Sequence, residues 1–88
     1  MTIELSGRLD TTTAPQLEDA IKEDIGSVDH LEFDLKDLAY ISSAGLRVLL
    51  STQKIMNKQG EMIVKNANDA VMDIFEVTGF IDILHIEE

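Results

Sequence analysis

Two hydrophobic periods alternate along this chain. Ile3 and Leu5 alternate with Thr2, Glu4 and Ser6, which predicts a strand with one buried face. Gly7 to Asp10 then read as an exit. Thr11 or Thr12 is placed to cap a helix, and Pro15 suits its first turn, where a missing N–H costs nothing. Leu17, Ile21 and Ile25, with Ala14 and Ala20 nearby, keep helical spacing as far as Gly26.

Leu31, Phe33 and Leu35 alternate with Glu32, Asp34 and Lys36, a second strand. Asp37 to Ile41 reads as a short loop that keeps Leu38, Tyr40 and Ile41 for packing. A second helix starts near Ser43 and carries Leu46, Leu49, Leu50, Gln53 and Met56 as far as Gly60, a suitable stop. Met62 to Val64 give a short third strand. Asn68 is placed to cap a third helix with the stripe Ala70, Val71, Ile74, Phe75 and Val77, ended by Gly79. Ile81 to Ile86 complete the pattern as a last strand. The order β-α-β-α-β-α-β predicts an α/β fold, a mostly parallel or mixed four-stranded sheet with three helices packed against it through right-handed crossovers.

Composition narrows the function classes. Eighty-eight residues, 44% hydrophobic and 27% charged, suit a single folded domain over residues 1–88. With 7 basic against 17 acidic residues the formal charge is −10. Such a surface repels phosphate backbones and anionic lipid, so neither nucleic acid nor a membrane surface is an expected partner, whereas a basic protein patch is attracted. The absence of cysteine removes disulfides, zinc–thiolate sites and thiol catalysis. No apolar run approaches the roughly 20 residues of a membrane span, and Met1 to Asp10 carry no signal-peptide pattern, so a cytoplasmic setting is expected.

Ser42-Ser43-Ala44-Gly45-Leu46 is the stretch with most chemistry. It follows a strand and opens a helix, where α/β sheets usually place their sites and where free N–H groups and the positive dipole end favour a phosphate. Spacing alone also allows a simple helix cap.

The run from Asp37 to Leu50, DLAYISSAGLRVLL, resembles the signature of STAS domains, the family of anti-sigma factor antagonists and sulfate-transporter tails. Gly7-Arg8-Leu9-Asp10 with Thr12 and Ala14 resembles the family's other short motif, and the steps at Gly60-Glu61-Met62 and Val77-Thr78-Gly79-Phe80 fit as well. The similarity covers nearly the whole chain. It implies a phosphorylation switch on Ser43, with Ser42 as the alternative acceptor. The unmodified antagonist binds a serine-kinase anti-sigma factor and so frees a sigma factor, and a metal-dependent serine phosphatase restores the modified form. The implied partner surface is Asp10, Thr11, Thr12, Ser42, Ser43, Ala44, Gly45, Leu46 and Arg47. Many antagonists carry aspartate where this chain has Ser42, and many have a further strand ahead of the first motif. An open sheet edge leaves weak self-association open.

Other features read as structural. His30 and His85, one opening a strand and one inside the last, read as surface or edge histidines. Asp10 also suits a cap before the first helix, and Arg47 a solvated surface charge. Asp69, Asp73, Glu76, Glu87 and Glu88 read as solvated faces, and Met56, Met62 and Met72 as core. No cofactor and no metal site is expected. An enzyme with Ser43 as nucleophile would need Gly-x-Ser-x-Gly, but Ile41 stands in place of the first glycine, and the chain leaves little room for a substrate pocket of about 300 Å3. A constitutive interaction or ligand-sensing module of a transporter or sensory complex is the alternative function, since one fold hosts both.

Overall fold

The computed structural model describes residues 1–87; Glu88 lies outside the described residues. Four strands, β1 (Thr2–Leu9), β2 (His30–Ile41), β3 (Glu61–Lys65) and β4 (Ile86–Glu87), alternate with three helices, α1 (Ala14–Asp24), α2 (Ser43–Gln59) and α3 (Asp69–Thr78). The sheet order is β1-β2-β3-β4, and every neighbouring pair is parallel. Consecutive parallel neighbours joined by right-handed crossovers put all three helices on one face. Burial agrees: Leu31, Phe33 and Leu35 of β2 are fully buried, while Glu32 and Asp34 between them are only half-buried.

The helices close one core. Ile21 and Ile25 share one buried cluster with Leu46, Leu49 and Met56 of α2, Phe33, Met62 and Val64 of the sheet, and Val71 and Phe75 of α3. The other sheet face carries a network of hydrogen bonds and ion pairs beside the buried Ile63, which pairs with Glu32. Glu32 takes His30 at 3.2 Å and Lys65 at 3.2 Å, His30 also faces Glu61 at 3.5 Å, and Asn66 donates to Asp34 at 3.0 Å. The His30 hydrogen bond and then Lys65 hold the Glu32 carboxyl below its ordinary value, and Asn66 does so for Asp34.

The strands that frame the site run further than their alternation predicts. β1 continues through Gly7 and Arg8 to Leu9, and β2 continues through Asp37–Ile41, which is strand and not loop. Two register shifts explain the misreading. Glu4 and Ser6 pair with Asp34 and Asp37, and Gly7 and Arg8 pair with Leu38 and Tyr40, so β2 carries an extra residue at each step. Each bulge moves the buried phase, and the buried positions become Leu35, Leu38 and Ile41, three apart instead of two. Leu38 therefore enters the core while Asp37 and Ala39 turn outward, and Tyr40, beside the buried Ile41, is 38% exposed. Gly7, with φ +71°, supplies the left-handed residue that the irregular pairing needs.

Three further expectations change. Neither Thr11 nor Thr12 caps α1: Thr13 stands at the N-cap and Asp10 holds the preceding turn, as described below. Ala20 is exposed on α1, as are Ala70 and Val77 on α3, where the buried stripe is Val71 and Phe75 with Ile74 half-buried. The predicted last strand shrinks to Ile86–Glu87, because Phe80–Asp82 form a 3-10 turn after the left-handed Gly79. His85 thus lies just before β4 and not inside it, although its carbonyl still accepts from the Val64 N–H at 2.9 Å. The Asn68 cap holds: its Oδ1 accepts from the Val71 N–H at 2.9 Å, and its Nδ2 donates to the Leu38 carbonyl.

Gly60 joins α2 to β3 at the point of closest backbone approach. A Cβ there would overlap the Asp29 carbonyl oxygen, which is main chain. Gln59 fixes the same corner by donating to the Ile25 and Val28 carbonyls at 2.6 and 2.7 Å. Gly60→Ala is expected to lower the unfolding free energy by about 3 kcal/mol, the upper part of the overpacking range, as read from the urea midpoint. A loss under roughly 0.5 kcal/mol, the scale of a neutral surface change, would show that this corner yields freely.

Candidate functional site

The site is built where β1 and β2 end side by side. Leu9 pairs with Ile41, and the Ser42 N–H continues the ladder by donating to the Leu9 carbonyl at 2.8 Å. This bond brings the Asp10 loop and the first turn of α2 together at the carboxyl edge of the sheet.

The two serines have different jobs. Ser42 is the N-cap, with extended backbone, and its Oγ accepts from the Gly45 N–H at 3.3 Å while its carbonyl accepts from Leu46. Ser43 is the first helical residue and is exposed. The N–H groups of Ser43 and Ala44 have no acceptor among the described residues, so the first turn keeps free donors beside the Ser43 hydroxyl. Gly45 lets the turn sit this low: a Cβ would lie 2.8 Å from both Ile41 Cγ1 and Leu9 Cγ. Gly45 and Leu46 are buried beneath the turn and support it from inside. Ala44 is half-buried, and Arg47 is exposed.

Asp10 organises the neighbouring loop. Its Oδ1 accepts from the Thr12 N–H at 3.0 Å, the Thr12 hydroxyl at 2.7 Å and the Thr13 N–H at 3.2 Å. The Asp10 N–H in turn donates to Thr13 Oγ1 at 2.8 Å, and that hydroxyl donates to the Arg8 carbonyl at 2.9 Å. These donors, the Thr12 hydroxyl foremost, stabilise the carboxylate and hold the Asp10 carboxyl below its ordinary 3.8. Asp10 is thus the capping group of the turn into α1. Its Oδ2 still faces Arg8 Nε at 3.9 Å, and the Arg8 guanidinium lies 4.6 Å above the Tyr40 ring. Thr11 and Thr12 are exposed on the loop.

Several of these residues escape a reading of periodicity. Thr13 was hidden by the two preceding threonines, since three equivalent side chains give no spacing signal. The Arg8–Tyr40 stack depends on the second bulge, which pairs the two residues across strands. Between α1 and α2 runs a shallow groove of about 360 Å3, lined by Thr11, Pro15, Ala44, Arg47 and Val48 among others. A larger cleft of about 640 Å3 opens between β3, α3 and β4, lined by Asn66, Asp69, Met72 and Glu76, so the chain has more concave space than its length suggests. None of the predicted site residues lines that cleft.

Comparison with known proteins agrees with the fold. The family model described as STAS domain matches residues 1–88. An anti-sigma-B factor antagonist of Staphylococcus aureus (strain NCTC 8325 / PS 47) is 30% identical over 90 residues, covering 98% of this chain and 82% of that protein. Among solved structures, the anti-sigma factor antagonist SpoIIAA in its unphosphorylated form superposes with a TM-score of 0.84 at 22% identity, over 99% of this chain and 78% of that one. A sulfate transporter family protein from Wolinella succinogenes gives 0.83 at 17% identity, over 97% and 73%. At these identities the two structures establish the shared fold.

The Asp10 network has a pH signature. Its hydrogen bonds favour the ionised carboxyl, so the folded pKa lies below 3.8 and the contribution is full above about pH 4. It is lost as pH falls through the folded value. Asp10→Ala is therefore expected to lower the urea midpoint at pH 7, with the gap to the parent closing as the pH drops below 3.8. A gap that stays constant to pH 2 would mean that the carboxylate is not what holds the turn.

Proposed function

The chain belongs to the STAS domain family, and from that premise we propose that it is an anti-sigma factor antagonist switched by a phosphate on Ser43. In the unmodified state it binds a serine-kinase anti-sigma factor and so releases a sigma factor. Modification of Ser43 ends that binding, and a metal-dependent serine phosphatase restores it. The role is a cytoplasmic protein-binding one, with no step catalysed by this chain.

The observation that carries the reading is the division of labour between the serines. Ser42 is committed to the cap through its Oγ, whereas Ser43 is exposed with its hydroxyl free of any hydrogen bond among the described residues. A kinase can therefore reach Ser43 without unwinding the helix, while modification of Ser42 would first have to break its bond to Gly45. A dianion on Ser43 stands at the positive end of α2 beside donors that already face solvent. In a close contact, the same charge costs desolvation and repels acidic groups of a partner. The Asp10 loop, fixed next to Ser43 by the Leu9–Ser42 bond, supplies the second half of the contact surface.

One observation favours a second reading. The same fold occurs in the sulfate transporter family protein of Wolinella succinogenes, and Ser42 here replaces the aspartate of many antagonists. A non-catalytic module of a transporter or sensory complex would keep this surface without a switch. A neighbouring gene for a kinase-type anti-sigma factor supports the antagonist, and neighbouring transporter subunits support the module.

The direct test is intact mass after incubation with ATP and the kinase encoded nearby. One added phosphate mapping to Ser43 is expected, and none in Ser43→Ala. Ser43→Ala should bind the kinase like the parent, while Ser43→Asp should bind a few hundredfold more weakly, the equivalent of about 3–4 kcal/mol. Equal binding by both folded variants would rule out the switch.

A further inference from the structure

We infer that Arg47 is the intramolecular charge partner of the phosphate on Ser43, so that modification withdraws a cation from the partner surface as well as adding a dianion. The inference rests on the phospho-switch reading and names how that switch is wired.

Ser43 and Arg47 are four residues apart on α2, on one helix face, with Cβ atoms about 5–6 Å apart. Both are exposed. Helical Cα–Cβ bonds tilt toward the N-terminus, so a long side chain at position 47 covers the turn before it, which is the turn that carries Ser43. The guanidinium offers a planar fork of donors that matches two phosphate oxygens. No competing bond has to break first. Arg47 has no carboxylate within ion-pair distance among the described residues. Glu18 lines the same groove but already holds Lys22 at 3.1 Å. The other basic side chain near these loops, Arg8, is occupied with Tyr40 and Asp10. The order along the helix is also the favourable one, anion toward the N-terminus and cation one turn later.

In the unmodified protein, therefore, Arg47 stands free to meet a partner's acidic group. In the modified protein it is occupied by its own chain, and the phosphate is held against the helix instead of swinging freely.

The test uses the full chain with phosphoserine inserted at position 43 during translation, which removes any dependence on a kinase. The phosphorus NMR signal is followed against pH in this protein and in its Arg47→Gln and Arg47→Lys variants, each checked for folding by its amide spectrum. A nearby cation favours the dianion, so the phosphate's second pKa, ordinarily about 6, should rise by about 0.3–0.7 units in Arg47→Gln. Arg47→Lys should rise less, because it keeps the charge and loses the fork. The helix N-terminus acts alike in all three proteins, so the difference isolates Arg47. Parent and Arg47→Gln titrating within roughly 0.1 unit of each other would overturn the inference. A kinase that fails to modify Ser43 would instead sink the switch reading and leave this titration result standing.

Discussion

The site depends on one backbone hydrogen bond, from the Ser42 N–H to the Leu9 carbonyl, which carries the β1–β2 ladder one residue past the strands. It fixes where α2 begins relative to where β1 ends. The helix can start that close only because Gly45 has no side chain to meet Leu9 and Ile41. With the bond and the glycine in place, Ser42 must cap and Ser43 must face out, since one residue along a helix turns the side chain by about 100°. The exposed hydroxyl follows from packing beneath it: the buried Gly45 and Leu46 hold the turn against the sheet.

The two bulges of β2 serve the same end. They change the buried spacing from two to three, so that Leu38 and Ile41 both point into the core while Tyr40 points away. A regular strand in phase with Leu35 would have turned Asp37 and Ala39 inward and Leu38 outward, and its ladder would have set Ala39, not Ile41, opposite Leu9. Bulges near a sheet edge re-aim side chains in this way. Here they also bring Tyr40 opposite Arg8, which stacks on it and stands over the Asp10 loop.

Element types and order were legible because each core stripe obeys a single period: Leu31, Phe33 and Leu35 for β2, Leu46, Leu49 and Met56 for α2. The Ser42 to Leu46 block stood out only through its resemblance to a known signature, since spacing alone reads it as a helix cap, the role that Ser42 takes. Illegible features were those where two periods meet. The Asp37–Ile41 segment reads as loop because a bulged strand has neither a helical nor a two-residue repeat. The last strand was overextended because Ile81, Ile83 and Ile86 look periodic, while Ile81 and Ile83 are exposed around a 3-10 turn. The cap of α1 was misassigned because the carboxylate that does the capping lies three residues before the N-cap, and a bond back to the end of β1, Thr13 to the Arg8 carbonyl, decides which threonine turns inward.

A chain charge of −10 suggests that two more negative charges would pass unnoticed, but a docking partner does not sense the total. At physiological salt the screening length is about 8 Å, so only charges around the contact count. The ends of β1 and β2 and the first turns of α2 carry Arg8, Asp10 and Arg47, two cations against one carboxylate that its hydrogen bonds keep ionised. The cap itself is neutral, a serine where an aspartate would have made the local balance zero. Under the proposed switch, a phosphate of about −1.5 to −2 charges on Ser43 would invert the sign of this patch instead of deepening an existing one. In that proposal a serine cap strengthens the contrast between the two states: a cationic tip on an acidic protein would become continuous with the acidic surface around it.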